Sequence, residues 1–257
     1  MNTSLHICRA RFVPIVFALL IVIVTTGSAQ DPAPDPAKPE PLWTGSAGGG
    51  LSITGGNTDT TNINLSFDIV RDPKRRNILR FFGLYLRGDS SDVVTTDRLR
   101  LGARDEYTLS DRTFLFGEFT YLRDPFKEID YLINPIGGLG YRLYDTDKIS
   151  MVVDGGAGIV WEKNPGFERD TSGTLNAGQS FAYKFSESAQ FTQVLNGLWK
   201  MNNFSDALYH FGVGLSSSII KSLELKVEFI LDHKNVTPGP AIKKRDTAFL
   251  TSVLYSF

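Results

Sequence analysis

The sequence DTAFLTSVLYSF, residues 246–257, ends the chain and decides which fold the rest can have. Successive side chains of a β-strand point to opposite sides, so every second residue of this stretch lies on one face. That face carries Phe249, Thr251, Val253, Tyr255 and Phe257. Chain termini usually fray into water, so an apolar strand that runs to a final aromatic residue needs an apolar surface or solvent to receive it.

This ending resembles the C-terminal signature of bacterial outer-membrane proteins, in which a terminal Phe follows aromatic or aliphatic residues at alternate positions. The resemblance implies that Phe249, Val253, Tyr255 and Phe257 form an assembly signal for the barrel-assembly machinery. The docked last strand of a soluble β-sandwich is the alternative that this stretch alone leaves open.

The opposite end of the chain predicts export. Arg9 and Arg11 precede an apolar run over residues 12–24, and the small residues 27–29 follow it. This three-part layout is typical of a cleaved secretory signal peptide, here residues 1–29. The apolar run is shorter than the roughly 20 residues that a membrane-spanning helix needs. We therefore expect a mature protein that begins at Gln30 and reaches the bacterial outer membrane.

A proline-rich leader separates the signal peptide from the rest. Five of the twelve residues from Gln30 to Pro41 are prolines, which cannot join a sheet ladder and favour an extended conformation. The sequence thus predicts three parts: the signal peptide 1–29, a periplasmic leader 30–42 and an outer-membrane β-barrel 43–257.

Composition excludes several classes of function. The single cysteine, Cys8, lies in the predicted signal peptide, so disulfides, thiolate metal sites and a cysteine nucleophile are not expected in the mature chain. The signal peptide has two basic and no acidic residues, which leaves 25 Lys and Arg against 28 Asp and Glu. A chain this close to neutral lacks the basic field that a nucleic-acid partner requires.

Alternating apolar and polar residues predict twelve strands from Trp43 onward, joined by turn residues such as those at 72–73, 110–111 and 202–203. The expected strands are 43–54, 59–71, 77–88, 93–108, 113–123, 130–144, 148–162, 171–185, 189–201, 206–220, 222–234 and 245–257. Tight connections alternate with longer ones, as in an antiparallel up-and-down transmembrane β-barrel with its short turns in the periplasm. No long loop is available to fold inward as a constriction.

The polar faces of these strands predict a charged lumen, while the apolar faces contact outer-membrane lipid. The lumen residues are Arg98, Arg100, Arg104, Glu106, Glu118, Arg142, Asp154, Glu162, Glu224, Lys226 and Glu228. Either salt bridges fill the lumen and the barrel has a structural role, or basic and acidic walls line a narrow pore for small solutes or ions. We favour the filled lumen. The third strand is apolar on both faces and is expected to add bulk to the interior.

The opening of the predicted barrel resembles the YdiY-like family of salt-induced outer-membrane proteins, a domain of unknown function. The likeness rests on the Trp-x-Gly strand at Trp43, the Gly-Asn-Thr turn at 56–58, the Tyr-Leu-Arg-Asp segment at 121–124 and the Gly-Gly-Leu-Gly-Tyr segment at 137–141. It covers essentially residues 43–257. The resemblance implies location and fold, and it supplies no catalytic residue. We expect the physiological role to be structural or stress-related.

Catalytic, cofactor and metal sites are not expected. His210 and His233 are the histidines that remain after signal removal, and residue 212 is a glycine, so a His-x-Ser pair is absent. Asn57 and Asp59 have the oxygen atoms that a metal needs, but Asn-Thr-Asp is ordinary turn composition. A soluble periplasmic or surface β-protein is the second alternative to the barrel.

Overall fold

The computed structural model describes residues 41–55, 60–90, 93–239 and 242–257. In this part of the chain twelve strands form one closed ring in which every strand is antiparallel to both of its neighbours. The predicted up-and-down barrel of about twelve strands is confirmed, and a two-layer sandwich does not form. The predicted signal peptide 1–29, the leader up to residue 40 and the turn residues Asn57 and Asp59 lie outside the described residues.

The strand boundaries follow the turn residues to within a few positions. The strands are β1 Trp43–Gly55, β2 Thr60–Arg71, β3 Asn77–Ser90, β4 Val93–Thr108, β5 Thr113–Asp124, β6 Ile129–Asp145, β7 Ile149–Lys163, β8 Asp170–Lys184, β9 Ala189–Lys200, β10 Asn203–Ile220, β11 Leu223–Lys234 and β12 Arg245–Ser256. The largest difference from the prediction is in β10, which begins at Asn203 rather than 206. The turn there needs only Met201 and Asn202, so both strands run up to it.

The two ends of the barrel differ in their connections. One end, which we call the turn rim, has the tight connections 72–76, 109–112, 146–148, 185–188 and 221–222, together with the start of β1 and the end of β12. The other end, the loop rim, has the longer connections 164–169 and 235–244, the tight turn 201–202 and, among the described residues, one 3-10 turn, Pro125–Lys127. Proline suits the first position of this turn because its φ angle is already helical.

The outer face of the barrel is an apolar belt. Antiparallel pairs such as Leu51 with Ile63 join odd-numbered residues to odd-numbered residues, so one parity faces outward around the ring. The exposed apolar residues of the belt are Leu51, Ile53, Ile63, Leu65, Phe81, Leu101, Leu115, Phe119, Leu139, Ile159, Leu175, Leu195, Leu215, Leu225, Phe229, Phe249 and Val253. Such a continuous apolar surface needs an apolar solvent around it.

Aromatic residues border this belt at both rims. Tyr255 and Phe257 stack at the turn rim, where Tyr107 and Tyr141 are also exposed. At the loop rim the indole Nε1 of Trp199 donates a hydrogen bond to the Tyr209 hydroxyl at 3.1 Å. Aromatic rings with a polar tip favour the level where lipid meets water, so these two aromatic girdles lie where the edges of a lipid-facing belt are expected.

Strand β1 closes the ring against β12 through glycines. Gly50 lies between Asn64 of β2 and Ser252 of β12, with which it is paired on its two sides. Because Gly50 has no side chain, Asn64 reaches across it, and Ser252 Oγ donates a hydrogen bond to Asn64 Oδ1 at 2.8 Å. Asn64 Nδ2 donates a second hydrogen bond to the carbonyl of Leu51 at 3.1 Å.

Replacing Gly50 with alanine is expected to destabilise this seam. A Cβ atom built at Gly50 overlaps the backbone carbonyl oxygen of Thr251, so the two strands would have to separate locally. We expect the free energy of unfolding to fall by about 1–3 kcal/mol, the usual cost of inserting a methyl group where there is no room. Gly117→Ala is the matched control, because a Cβ there meets nothing within 4 Å. Urea unfolding followed by tryptophan fluorescence measures both, and equal midpoints for the two variants would contradict this account of the seam.

Candidate functional site

The interior of the barrel contains many charged side chains, joined by ion pairs, and is the candidate site. The structure places the eleven sequence-predicted lumen residues on the inner face, where they take part in ion pairs, hydrogen bonds or the lining of a cavity: Arg98, Arg100, Arg104, Glu106, Glu118, Arg142, Asp154, Glu162, Glu224, Lys226 and Glu228. Within residues 41–55, 60–90, 93–239 and 242–257, no helix has the length and apolar character needed to cross a membrane.

Near the loop rim, Arg98 forms two ion pairs, one of which crosses the whole lumen. Arg98 of β4 contacts Asp124 Oδ2 through Nε at 2.8 Å and Asp232 Oδ2 through Nη1 at 2.7 Å. Strands β4 and β11 are separated by five steps around a ring of twelve, so they stand nearly opposite each other. The Arg98 side chain is only 12% exposed. The contact between Arg98 and Asp232 therefore bridges the lumen from wall to wall, and we call such a contact a bar.

The 3-10 turn supplies a second bar. Lys127 points inward and its Nζ lies 3.2 Å from Asp246 Oδ2 of β12, on the far side of the ring. The side chain of Asp124 accepts a hydrogen bond from the backbone N–H of Lys127, which fixes the turn. Because the sequence has no long loop, no constriction formed by a loop was expected. The four-residue connection is nevertheless long enough, because the side chain of Lys127 reaches into the lumen.

A buried ionic cluster lies beside these bars at the same rim. Glu162 of β7, whose side chain is 1% exposed, contacts both Lys234 and Lys200. Lys200 Nζ also lies 2.8 Å from a carboxylate oxygen of Asp170 and 2.8 Å from one of Asp206. Buried ions are tolerated when each finds a partner, and here every carboxylate and ammonium group of the cluster, from β7 to β11, has an ion-pair partner.

Apolar side chains fill the spaces between the charges. Leu86 and Leu84 of β3 are packed against Ile230 of β11 and Leu250 of β12, which are four and three steps away around the ring. Ile129, Leu132 and Val160 form a second inner cluster with Leu122 and Leu208. The bulk expected from the third strand is thus present at Leu84 and Leu86.

A second charged layer lies deeper in the barrel, centred on Arg104. Its guanidinium contacts Glu106 at 2.8 Å, Glu118 at 2.9 Å and Asp154 at 2.9 Å. Arg142 supports the layer from β6, with Nη2 3.6 Å from Glu106. The Arg104 guanidinium also stacks 4.0 Å above the buried ring of Phe116, a cation–π contact that holds it in place.

The interior becomes more accessible toward the turn rim. Lys226 and Glu228 form an ion pair on β11, and the lysine side chain is 29% exposed. Arg80 forms an ion pair with Asp68, and the arginine side chain is 52% exposed. Glu224 accepts a hydrogen bond from Ser256 at 2.8 Å. The lumen is therefore closed at the loop rim and open to water at the turn rim.

Between the loop-rim bars and the Arg104 layer there is a cavity of about 150 Å³. Its lining includes Arg100, Thr120, Asn134, Asn176 and Asn196. Arg100 differs from its neighbours on β4, because in the described part of the chain no carboxylate lies within salt-bridge distance of it. Its guanidinium carbon lies 5.9 Å from the centre of the Phe82 ring. Asn176 Oδ1 is buried and accepts no hydrogen bond from any described residue.

Neither histidine forms a recognisable catalytic arrangement. His210 Nδ1 lies 2.8 Å from Asp232, the same carboxylate that receives Arg98, so the imidazole belongs to the loop-rim bar. His233 is half-buried, and its ring centre lies 6.1 Å from that of Tyr209.

The predicted set of lumen residues lacks seven interior residues: Asp124, Lys127, Lys200, Asp206, Asp232, Lys234 and Asp246. Most lie at strand ends near the loop rim, where charged residues look like solvated loop positions. Parity was the available signal, since Lys200, Asp206, Asp232 and Lys234 have the even numbers of the inner face. Lys127 carried no such signal because it lies in a connection.

Comparison with known proteins gives a family and a fold. Residues 47–257 match the family described as "Protein of unknown function, DUF481". The uncharacterized protein YdiY of Escherichia coli K12 is 21% identical over 225 residues, which cover 86% of each chain. Among solved structures, the NanC porin matches with a TM-score of 0.56 and 8% identity, over 83% of this chain and 100% of that one. The COG4313 outer membrane channel from Pseudomonas putida F1 matches with a TM-score of 0.54 and 12% identity, over 88% and 100%. The TM-scores of these two matches show a shared outer-membrane barrel fold, and at identities this low they show the fold alone.

Proposed function

Because the chain belongs to the family "Protein of unknown function, DUF481", as its resemblance to YdiY-like proteins predicted, we propose its function from the geometry of the barrel. It is an integral outer-membrane β-barrel with a structural, stress-related role and a resting lumen that is filled at the loop rim. The observation that carries this proposal is the ion pair between Arg98 and Asp232, which joins opposite walls.

The location in the outer membrane is supported by the outer face. A soluble protein would expose the whole apolar belt to water, whereas lipid tails accept it at no cost. The aromatic girdles and the predicted signal peptide 1–29 point the same way. Phe249, Val253, Tyr255 and Phe257 are exposed on the outer face of β12, where an assembly factor could reach them. Short turns face the periplasm in such barrels, so we place the turn rim there.

Filling of the lumen is supported by the energy needed to open it. A solute that passes the loop rim has to separate Arg98 from Asp124 and Asp232. Removing one partner from a buried ion pair costs about 3–5 kcal/mol, which lowers the open population by a factor of roughly 100 to several thousand. Lys127 and Asp246 add a second such contact.

A narrow pore for small solutes or ions is the second candidate. The accessible half of the lumen near the turn rim favours it, because Lys226 and Arg80 are already in contact with water. In this case the bars at the loop rim are a gate that opens, rather than a permanent plug.

Planar-bilayer recording separates the two candidates. We expect refolded residues 30–257 to show no stable single-channel steps. The variant Arg98→Ala with Lys127→Ala is expected to give small, cation-selective steps, because both bars are removed and Asp124, Asp232 and Asp246 remain.

Arg123→Ala is the matched control, because it breaks an ion pair with Asp97 on the outer face and leaves the lumen intact. Heat-modifiable gel mobility and an outer-membrane pellet show that each protein is folded and inserted. Stable steps from the unmodified protein would reject the filled lumen in favour of the pore.

A further inference from the structure

We propose that the cavity in the middle of the lumen binds a small hydroxylated carboxylate, with its carboxylate on Arg100 and a hydroxyl group on Asn176. The inference rests on the proposed function, since a lumen closed at the loop rim makes this cavity the inner end of a vestibule that opens at the turn rim.

Arg100 supplies the anion-binding half of the site. Its neighbours Arg98 and Arg104 have two and three carboxylate partners, whereas Arg100 has none within salt-bridge distance in the described part of the chain. A guanidinium withdrawn from water is costly unless an anion meets it, and its planar fork matches a carboxylate in a bidentate way.

The carboxylates that share this cavity do not fill that role, because other arginines already hold them. Asp232 lies 2.7 Å from Arg98, while Glu118 and Asp154 each lie 2.9 Å from Arg104. A ligand carboxylate at Arg100 therefore completes a charge pattern in which every arginine of β4 that faces the lumen has an acidic partner.

Asn176 supplies the second half. Its Oδ1 is a buried acceptor without a donor among the described residues, and it lines the same cavity as Arg100. Buried acceptors normally receive a hydrogen bond, so a donor is missing here. A hydroxyl group of the ligand meets this requirement. Strands β4 and β8 are four steps apart around the ring, so the ligand spans the cavity from wall to wall.

Size and access limit the ligand to a small molecule. A cavity of about 150 Å³ is large enough for benzene when its walls are apolar, so this one takes a molecule of the size of a short hydroxy acid. The ligand enters from the turn rim and passes beside the Arg104 layer, whose ion pairs join only β4 to β7, because the bars formed by Arg98 and Lys127 close the opposite side.

Calorimetric titration of the refolded protein with three related probes tests the site. Glycerate has a carboxylate and hydroxyl groups, propionate has only the carboxylate, and glycerol has only hydroxyl groups. We expect glycerate to bind more tightly than either of the others. Arg100→Gln should weaken glycerate and propionate binding at least about tenfold, because a charge-assisted pair is lost. Asn176→Leu should weaken glycerate binding several-fold and leave propionate binding unchanged.

Arg87→Gln is the control, since Arg87 is exposed on the outer face of β3. If folded protein takes up none of the probes, or if Arg100→Gln binds glycerate as tightly as the unmodified protein, the cavity holds only water and the inference fails. Binding and conductance are separate measurements. If the barrel neither conducts ions nor binds the probes, the binding site is rejected and the filled lumen stands. If the barrel conducts ions and binds glycerate, the binding site stands and the filled lumen is rejected.

Discussion

Glu162→Ala is expected to lower the free energy of unfolding by about 3–5 kcal/mol, the usual cost of leaving a buried ion without its partner. Lys234, with a side chain 5% exposed, has no second carboxylate within salt-bridge distance in the described part of the chain. Lys200 keeps Asp170 and Asp206 and is affected less. Urea unfolding in detergent micelles, followed by heat-modifiable mobility, measures the change.

Two further variants make this prediction specific. Glu168→Ala removes an exposed carboxylate from the neighbouring loop and should leave the midpoint within the error of the wild type. Glu162→Leu combined with Lys234→Leu removes both charges and should recover much of the lost stability, because apolar residues of similar size replace a buried pair well. Equal loss in Glu162→Ala and Glu168→Ala would show that the cluster is not a buried structural unit.

Arg104→Met is expected to destabilise the barrel by a similar amount, about 3–5 kcal/mol. One guanidinium holds Glu106, Glu118 and Asp154. After the substitution Arg142 is the cation left in this layer, and among the described carboxylates it pairs with Glu106 alone. The other two carboxylates then repel each other inside the lumen. The free energy of unfolding of Arg104→Lys should lie between those of the wild type and Arg104→Met, since an ammonium group lacks the fork that meets several carboxylates at once.

The compensated variant tests the cause. Adding Glu118→Gln and Asp154→Asn to Arg104→Met removes the repelling charges and should restore most of the stability. Arg87→Met, on the exposed outer face, serves as the control for loss of an arginine. If the triple variant is as unstable as Arg104→Met alone, the contact of the guanidinium with the Phe116 ring, rather than its ion pairs with the carboxylates, holds this layer together.

The barrel could be predicted from the sequence because each strand carries its own information. Leu225 and Phe229 alternate with Lys226 and Glu228, and this period of two assigns both faces without knowledge of any other strand. Turn residues set the strand ends, and the even number of strands brings the start of β1 and the end of β12 to the same rim. Recognition of the C-terminal signal, export through residues 1–29 and induction by salt stay predictions.

The contacts inside the lumen could not be predicted in the same way. Arg98 and Asp232 are 134 residues apart, and they meet because closure of the ring brings β4 opposite β11. Which levels face each other across a barrel depends on its shear and tilt, which no single strand encodes. The alternation assigned Arg100 to the lumen, but only the three-dimensional arrangement shows that its neighbours have taken the nearby carboxylates.

The hydrogen bond from Ser252 to Asn64 joins residues 188 positions apart, over a strand that has glycines where other strands have bulk. Until β12 arrives, β1 presents unpaired backbone groups along one side, a template on which a foreign strand can add. Contacts between such distant positions also form late in folding. A chain cut short before Arg245 would therefore keep this side of β1 uncovered, and we expect it to be lost to aggregation or proteolysis rather than to persist as a smaller cylinder. Closure of the barrel at the glycine-rich strand β1 therefore requires that β12 has been made and has paired with it.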